Sequence, residues 1–124
     1  MREAGRDGSS SAGRRARWGM ALVRGRSMLP LLRPGDRLLV AYRRPVRPGA
    51  VVVARFSDGT VAVKRATQRR TTRADDPGWW LLSDNPAEGV DSRHRGVVAE
   101  TDVLAVAIAR IWPRPRRLRP AVPD

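Results

Sequence analysis

Cysteine is absent from this chain of 124 residues, and histidine occurs once, as His94. Without cysteine, disulfides, thiolate metal sites and cysteine nucleophiles are excluded, and nothing marks an oxidising compartment. Metal sites built from several histidines are excluded too, and a serine-histidine-carboxylate triad would depend on His94 alone. We therefore expect no metal ion and no other cofactor.

Long apolar runs are also missing. No segment approaches the roughly 20 apolar residues that span a bilayer, and the longest run, 103–109, is typical of a buried strand. The basic N-terminal stretch contains no apolar segment long enough for the core of a signal peptide before Arg24. The sequence predicts a soluble protein with no integral membrane anchor, and a cytoplasmic location is the default.

Lysine is nearly absent, although the chain is strongly basic. All but one of its 25 basic residues are arginine, and the formal net charge is +13. This bias has two explanations, nucleic-acid binding or a GC-rich coding sequence. Nucleic-acid binding would need basic residues interleaved with stacking aromatics, and the tryptophans are not spaced in that way. They are Trp18, Trp79, Trp80 and Trp112.

Short apolar or alternating runs separated by turn residues predict an antiparallel β domain. The predicted strands cover residues 21–25, 36–42, 50–56, 60–67, 79–83 and 103–112. The turn sequence at 57–59 predicts that the third and fourth strands form a hairpin. Pro-Gly pairs at 34–35 and 48–49 predict type II turns.

The expected fold class is mainly β, a single small domain of twisted antiparallel sheets over residues 19–112. Residues 1–18 lack apolar periodicity and hold five arginines against two carboxylates. Residues 113–124 are rich in proline and arginine. Both ends are therefore predicted to be disordered tails.

Lys64 is flanked on one face of its predicted strand by Ala62 and Ala66. Burial among small apolar neighbours lowers the pKa of a lysine and yields a neutral amine, which arginine cannot provide. A general base is one interpretation. The alternative is a lysine whose ammonium reaches solvent at the end of its flexible stem.

Ser27 falls at a predicted bend. Gly25 permits close approach of the backbone, and Pro30 disfavours helical geometry at the residue before it. An exposed serine nucleophile is one interpretation of this placement. A turn or capping residue is the other.

Four blocks in order resemble the signal peptidase I family of serine-lysine endopeptidases. They are SMLPLL at 27–32, the GD of 35–36 followed by Val40, the Lys64-Arg65 pair at the end of an apolar strand, and SDNPAEGVDSRHRG at 83–96. The resemblance spans about residues 21–112 and implies a signal peptidase/LexA-like catalytic core. LexA-like repressors carry a DNA-binding helical domain for which this N-terminus has no room.

The resemblance implies a Ser-Lys dyad. In such an endopeptidase Ser27 attacks the scissile carbonyl, and Lys64 accepts the hydroxyl proton and delivers it to the leaving amine. The backbone N–H of Ser27 holds the oxyanion. Gly25 stands where some relatives supply an additional hydroxyl donor.

The same resemblance implies a supporting network around the dyad. Two carboxylates and two guanidinium groups would pin the last block against the lysine strand. The expected members are Arg65, Asp84, Asp91, Ser92 and Arg93.

Three positions depart from the family pattern. Gly89 replaces the serine that orients the lysine in relatives, Ser83 replaces a glycine, and Leu31 replaces a threonine. Either Ser92 or a water molecule is expected to assist Lys64 instead. His94 occupies a variable position, so we expect an exposed side chain without a catalytic role.

The chain has a GDRLLV block at 35–40, a DNP turn at 84–86 and a Trp-Pro at 112–113. In these features it resembles short relatives in the family, the nickel-type superoxide dismutase maturation proteases. This resemblance implies removal of an N-terminal propeptide from a precursor protein, which frees the terminal amine that nickel binds in that enzyme. Two alternatives stay open. One is general signal-peptidase-like processing of preproteins, and the other is an arginine-rich nucleic-acid-binding protein without protease activity.

Overall fold

Turn residues at short intervals break the chain into strands that pair in one antiparallel sheet. The computed structural model describes residues 17–121. Within them the strands are β1 (Trp18–Leu22), β2 (Arg37–Tyr42), β3 (Val51–Arg55), β4 (Val61–Thr71), β5 (Pro77–Leu82), β6 (Val98–Ala99), β7 (Val103–Trp112) and β8 (Arg116–Arg117). A short helix, α1 (Ser92–Arg95), and a 3-10 turn (Glu100–Asp102) lie between β5 and β7. The mainly β fold class is confirmed.

The strands follow the order β1-β2-β7-β3-β4-β5-β6 across the sheet, and β8 pairs with β7. The predicted hairpin of β3 and β4 is confirmed, with Val53 opposite Val63. Both type II turns are confirmed as well. Gly35 and Gly49 have φ of 93° and 91°, the conformation that the third residue of this turn requires.

β4 runs four residues beyond its predicted end at 67. The added residues are polar, so alternation of apolar residues does not reveal them. Their arginines instead cover the tryptophans of β5, with Arg69 lying 5.0 Å from the ring centre of Trp79 and Arg70 4.2 Å from that of Trp80. Cation–π contacts of this kind stabilise a strand whose sequence looks solvent-exposed.

Both faces of the sheet are covered by buried apolar side chains. The Leu38 cluster comprises Val23, Met28, Leu32, Leu38, Val40, Val51, Ala105, Ala107 and Leu118. The Trp79 cluster comprises Ala50, Val52, Ala54, Phe56, Ala66, Trp79, Leu81, Val98 and Val106. Successive residues of β3 and β7 belong to different clusters, as expected for strands buried on both sides.

The C-terminal segment differs from the predicted disordered tail 113–124. Residues 113–121 are described, and they return along β7 to form β8. Leu118 is 9% exposed in the Leu38 cluster, and the Ala121 N–H donates a hydrogen bond to Gly49 O at 3.0 Å. Strand pairing, backbone hydrogen bonds and one buried leucine therefore attach this segment to the sheet.

The N-terminal tail predicted over residues 1–18 lies outside the described residues up to position 16. Trp18, its last member, opens β1. Residues 122–124 also lie outside the described part of the chain. Among residues 17–121, no helix has the length and apolar character needed to cross a bilayer.

Candidate active site

Ser27 lies in the bend between β1 and β2. Met28 and Leu32, which are 1% and 0% exposed, anchor this bend in the Leu38 cluster. The Leu32 N–H donates a hydrogen bond to Met28 O at 2.9 Å. Asp36, at the end of the bend, is buried and accepts hydrogen bonds from the Arg33 N–H and from Arg110 on β7. The serine is thus held between two fixed points.

The segment after β5 contacts the bend directly. Its Asn85 donates a backbone hydrogen bond to Ser27 O at 2.8 Å and a side-chain hydrogen bond to Arg26 O at 3.2 Å. Sequence reasoning assigned Asn85 no role, and the only signal for it was its place in the fourth block. Within residues 17–121, the backbone N–H of Ser27 donates no hydrogen bond to the protein. That N–H is therefore available to a ligand oxygen.

Lys64 lies on β4 opposite Val52, and its side chain is 2% exposed. Burial lowers the pKa of this amine, because the charged form loses its hydration. The carboxylate of Asp91 acts in the opposite direction, and the guanidinium of Arg93 lowers the pKa further. The result is an amine that loses its proton more readily than an exposed lysine.

The partner of the lysine amine is Ser83. Lys64 Nζ donates a hydrogen bond to Ser83 Oγ at 3.1 Å, and both side chains are buried. Of the two expected partners, Ser92 or a water molecule, Ser92 instead accepts the Leu81 N–H at 2.8 Å through its Oγ, and among the described residues the hydrogen bond of Lys64 Nζ goes to Ser83. The sequence signal that could have identified Ser83 was its replacement of the family's glycine.

Gly89 lies between Ser27 and Lys64. A Cβ atom at Gly89 would come 2.6 Å from Ser27 Cβ and 3.1 Å from Lys64 Nζ, so the two side chains converge on the space above this glycine. Its φ of 80° is also in the left-handed region that favours glycine. No serine fits here without displacing the lysine or Ser27, which accounts for this departure from the family pattern.

Arg65 and Asp84 fasten the segment after β5 to the lysine strand. Arg65 Nε and Nη2 donate to Asp84 Oδ1 and Oδ2 at 3.0 and 2.7 Å, and Arg65 Nη1 donates to Gly49 O at 2.8 Å. Both side chains are less than one-fifth exposed. A bidentate pair in this setting fixes orientation as well as distance. Because Asp84 follows Ser83 in the chain, this pair keeps Ser83 beside Lys64.

Asp91 and Arg93 form a second, separate pair. Arg93 Nε and Nη2 donate to the Asp91 carboxylate at 3.0 Å each, and the Ser83 N–H donates to it at 2.9 Å. Burial alone would raise the pKa of Asp91, but the hydrogen bonds from Arg93 and from the Ser83 N–H lower it to about 2. Asp91 is therefore ionised at neutral pH and fixes the backbone of Ser83.

His94 has the exposed side chain that its variable position predicted, at 55% exposure. Its Nδ1 accepts the Asp91 N–H at 3.4 Å. Together with the hydrogen bond from the Arg93 N–H to Asp91, this contact closes the N-terminus of α1. The structure gives His94 a capping role at the start of α1.

Ser27 borders a cavity of about 440 Å³. Aliphatic side chains of β1 to β4 dominate the lining, among them Met20, Leu22, Val40, Val53, Val61 and Val63. Such a surface accepts apolar side chains of a ligand. In the described part of the chain, no three His, Asp or Glu side chains converge as metal ligands would.

Two comparisons with known proteins bear on this geometry. The family model described as Peptidase S24-like matches residues 9–106. Mitochondrial inner membrane protease subunit 1 of Schizosaccharomyces pombe is 30% identical over 115 residues, an alignment that covers 76% of this chain and 73% of the yeast protein. The family match includes the bend with Ser27 and the strand with Lys64.

Proposed function

Because this chain belongs to the Peptidase S24-like family and is thus a signal-peptidase-like, serine-type protease, we propose that Ser27 and Lys64 form its catalytic dyad. The observation that carries the proposal is the buried Lys64 amine, which lies on the same side of Gly89 as the Ser27 side chain, so that a Cβ atom at Gly89 would come within 3.1 Å of Lys64 Nζ and 2.6 Å of Ser27 Cβ. The lowered pKa of Lys64 supports the same assignment, because a general base must be able to lose its proton near the working pH.

In the proposed reaction the neutral Lys64 amine accepts the proton of Ser27 Oγ as that oxygen attacks the scissile carbonyl. The free N–H of Ser27 stabilises the oxyanion of the tetrahedral intermediate. Lys64 then returns the proton to the leaving amine, and an ester of Ser27 remains. Water deprotonated by Lys64 hydrolyses this ester and regenerates both side chains.

Ser83 is the positioning residue for Lys64 in this proposal. An amine on a four-carbon stem has many rotamers, and the hydrogen bond to Ser83 Oγ selects the one in which Nζ faces Gly89. Arg65, Asp84, Asp91 and Arg93 act one step further away, since they fix the backbone that carries Ser83. Ser92 supports the same segment through Leu81.

The dyad is tested with Ser27→Ala and Lys64→Arg. Each variant is expected to abolish peptide-bond cleavage, because alanine lacks the nucleophile and arginine keeps its proton. Ser57→Ala, in the exposed turn between β3 and β4, is the matched control and should retain full activity. Circular dichroism establishes that each variant is folded. Wild-type cleavage rates in a folded Ser27→Ala or Lys64→Arg protein would exclude the dyad.

For the substrate, we propose the precursor of a nickel superoxide dismutase, from which this protease removes the N-terminal propeptide. The support is the resemblance of the GDRLLV block at 35–40, the DNP turn at 84–86 and the Trp-Pro at 112–113. The test is incubation of wild-type and Ser27→Ala protein with that precursor, followed by N-terminal sequencing. A single new N-terminus that depends on Ser27 is expected.

General processing of preproteins is the second candidate, and the yeast relative, named as a protease subunit, favours it. Cleavage of varied secretory precursors, with the dismutase precursor left intact, would establish this candidate instead. The third, a nucleic-acid-binding protein without protease activity, is disfavoured by membership of a peptidase family.

A further inference from the structure

A second cavity, of about 760 Å³, shares no lining residue with the one beside Ser27. It lies between the connection of β2 to β3, the C-terminal segment, the start of β3 and the middle of β7. We name it the arginine cavity after four lining side chains, Arg44, Arg47, Arg117 and Arg119. The other lining residues are aliphatic or proline, and Val51, Val106 and Ile108 are among them.

Charge in the arginine cavity is of one sign. Its lining contains four guanidinium groups and no carboxylate. All four arginines are exposed, and within residues 17–121 none of their guanidinium groups forms an ion pair or donates a hydrogen bond. The only described partner is the ring of Trp18, which lies 5.5 Å from the guanidinium of Arg44. Like charges gathered without counter-charges favour an anionic ligand.

The lining also indicates which anion fits. Single-stranded nucleic acid uses aromatic side chains as stacking platforms, and no aromatic residue lines this cavity. Its aliphatic floor instead matches apolar side chains, and the guanidinium fork binds carboxylates through two parallel hydrogen bonds. The volume lies within the range of about 300–1,000 Å³ that is usual for pockets of small ligands, which suits a few side chains of a peptide.

We propose that the arginine cavity binds an acidic peptide segment in which carboxylates alternate with aliphatic side chains. The partner is a protein that carries such a segment. This site goes beyond the proposed dyad, because binding here requires neither Ser27 nor Lys64 and can be measured in the absence of proteolysis.

The experiment is fluorescence anisotropy of a short fluorescein-labelled peptide of alternating glutamate and leucine, titrated with the full chain carrying Ser27→Ala. Adding Arg117→Gln and Arg119→Gln is expected to weaken binding about tenfold, because two exposed ion pairs with the peptide are lost. The matched control is Arg55→Gln with Arg73→Gln, which removes the same charge from exposed positions outside the cavity. The control should bind as tightly as the parent.

Equal weakening in the two double variants would overturn the proposal, because binding would then follow net charge alone. Absence of peptide binding would overturn it as well. A single-stranded oligonucleotide of equal charge is the second probe. If it binds more tightly than the peptide, and Arg117→Gln/Arg119→Gln alone loses this binding, the cavity binds phosphate groups and the peptide proposal is wrong. Cleavage of a short neutral reporter should be unchanged when the two cavity substitutions are made in the wild-type background. Because the binding assay uses the Ser27→Ala chain and measures no cleavage, failure of the dyad hypothesis would leave the binding test valid.

Discussion

Two opposing influences act on the Lys64 amine. Burial lowers its pKa and the Asp91 carboxylate acts in the opposite direction, while the hydrogen bond to Ser83 Oγ orients the amine. A base that is neutral yet poorly aimed would transfer protons slowly, and a base that is aimed yet fully charged would transfer none. In Lys64, burial supplies the lowered pKa and the hydrogen bond to the buried Ser83 hydroxyl supplies the orientation.

Ser83→Ala tests this balance. We expect kcat to fall about tenfold or more, because a hydrogen bond to a charged group contributes roughly 1.5–3 kcal/mol, while KM stays unchanged. Loss of an acceptor for the ammonium lowers the pKa of Lys64 further, so the rise of activity with pH moves to lower pH. The measurement is kcat and KM across a pH series, with Ser83→Thr as the conservative variant that restores both values. A lower kcat with an unmoved pH profile would contradict positioning by Ser83.

The contact between Lys64 and Ser83 is a residue-level feature that the sequence did not predict. The positions of Ser27 and Lys64 followed from the ordered blocks, because each block is local. The contact between residues 64 and 83 depends on the register of β4 and β5, which a bulge shifts between Ala66 and Gln68. A one-residue change of register turns a side chain to the other face. The partner of Lys64 was therefore not predictable from either block alone.

At the scale of elements, the segment from 83 to 91 is the piece that completes the site. It is irregular, so its shape depends on specific contacts rather than on a repeating pattern. The Arg65–Asp84 pair fastens its start to β4, and Asp91 closes its end on the Ser83 N–H. Gly89, between these fixed points, lies directly beside the Ser27 side chain.

Gly89→Ala tests that approach. The added methyl would lie 2.6 Å from Ser27 Cβ, so we expect activity to fall at least about 100-fold as Ser27 or the segment moves. The left-handed φ adds a stability loss of about 1–2 kcal/mol. Gly59→Ala is the matched control, because its φ is 88° but its Cβ would meet nothing within 4 Å. Both variants should lose stability in thermal melts, and only Gly89→Ala should lose activity. Equal activity in the two would show that the space above Gly89 is not needed.

Most regular elements were predictable because their signals are local. Pro-Gly pairs and the turn at 57–59 marked the strand boundaries, and continuous apolar runs marked the interior of β2, β3 and β7. The two-residue strands β6 and β8 carry too few residues for any pattern. They exist because neighbouring strands offer unpaired edges, which is a property of the assembled sheet.

At the scale of the whole molecule, both ends of the described chain belong to the sheet. The N-terminal end forms its edge strand β1, and the C-terminal end forms β8 beside β7. β1 pairs with β2, and β8 pairs with β7. The C-terminal segment also contacts Gly49, whose carbonyl oxygen accepts the hydrogen bond from Arg65. A segment that composition marked as a disordered tail is therefore linked to the pair that holds the candidate site.

Leu118→Ala measures how much this segment contributes. The side chain is 9% exposed within the Leu38 cluster, and truncating a buried leucine costs about 2–5 kcal/mol, with the lower end expected near a chain terminus. For a domain of this size, a loss of about 2–3 kcal/mol lowers Tm by roughly 8–12 °C. Leu22→Ala, at a leucine that is 50% exposed on β1, is the control and should shift Tm by only about 2 °C or less.

The two Tm values decide between a packed strand and a loosely attached tail. If Leu118→Ala were as stable as Leu22→Ala, residues 113–121 would contribute no core, and the prediction of a tail from composition would be restored. If Leu118→Ala is the less stable variant, the fold requires its C-terminal arginine-rich segment. In that case Arg117 and Arg119 are held in fixed positions at the rim of the arginine cavity, because the buried leucine lies between them in the chain. Fixed arginines lose less conformational entropy when an acidic ligand binds.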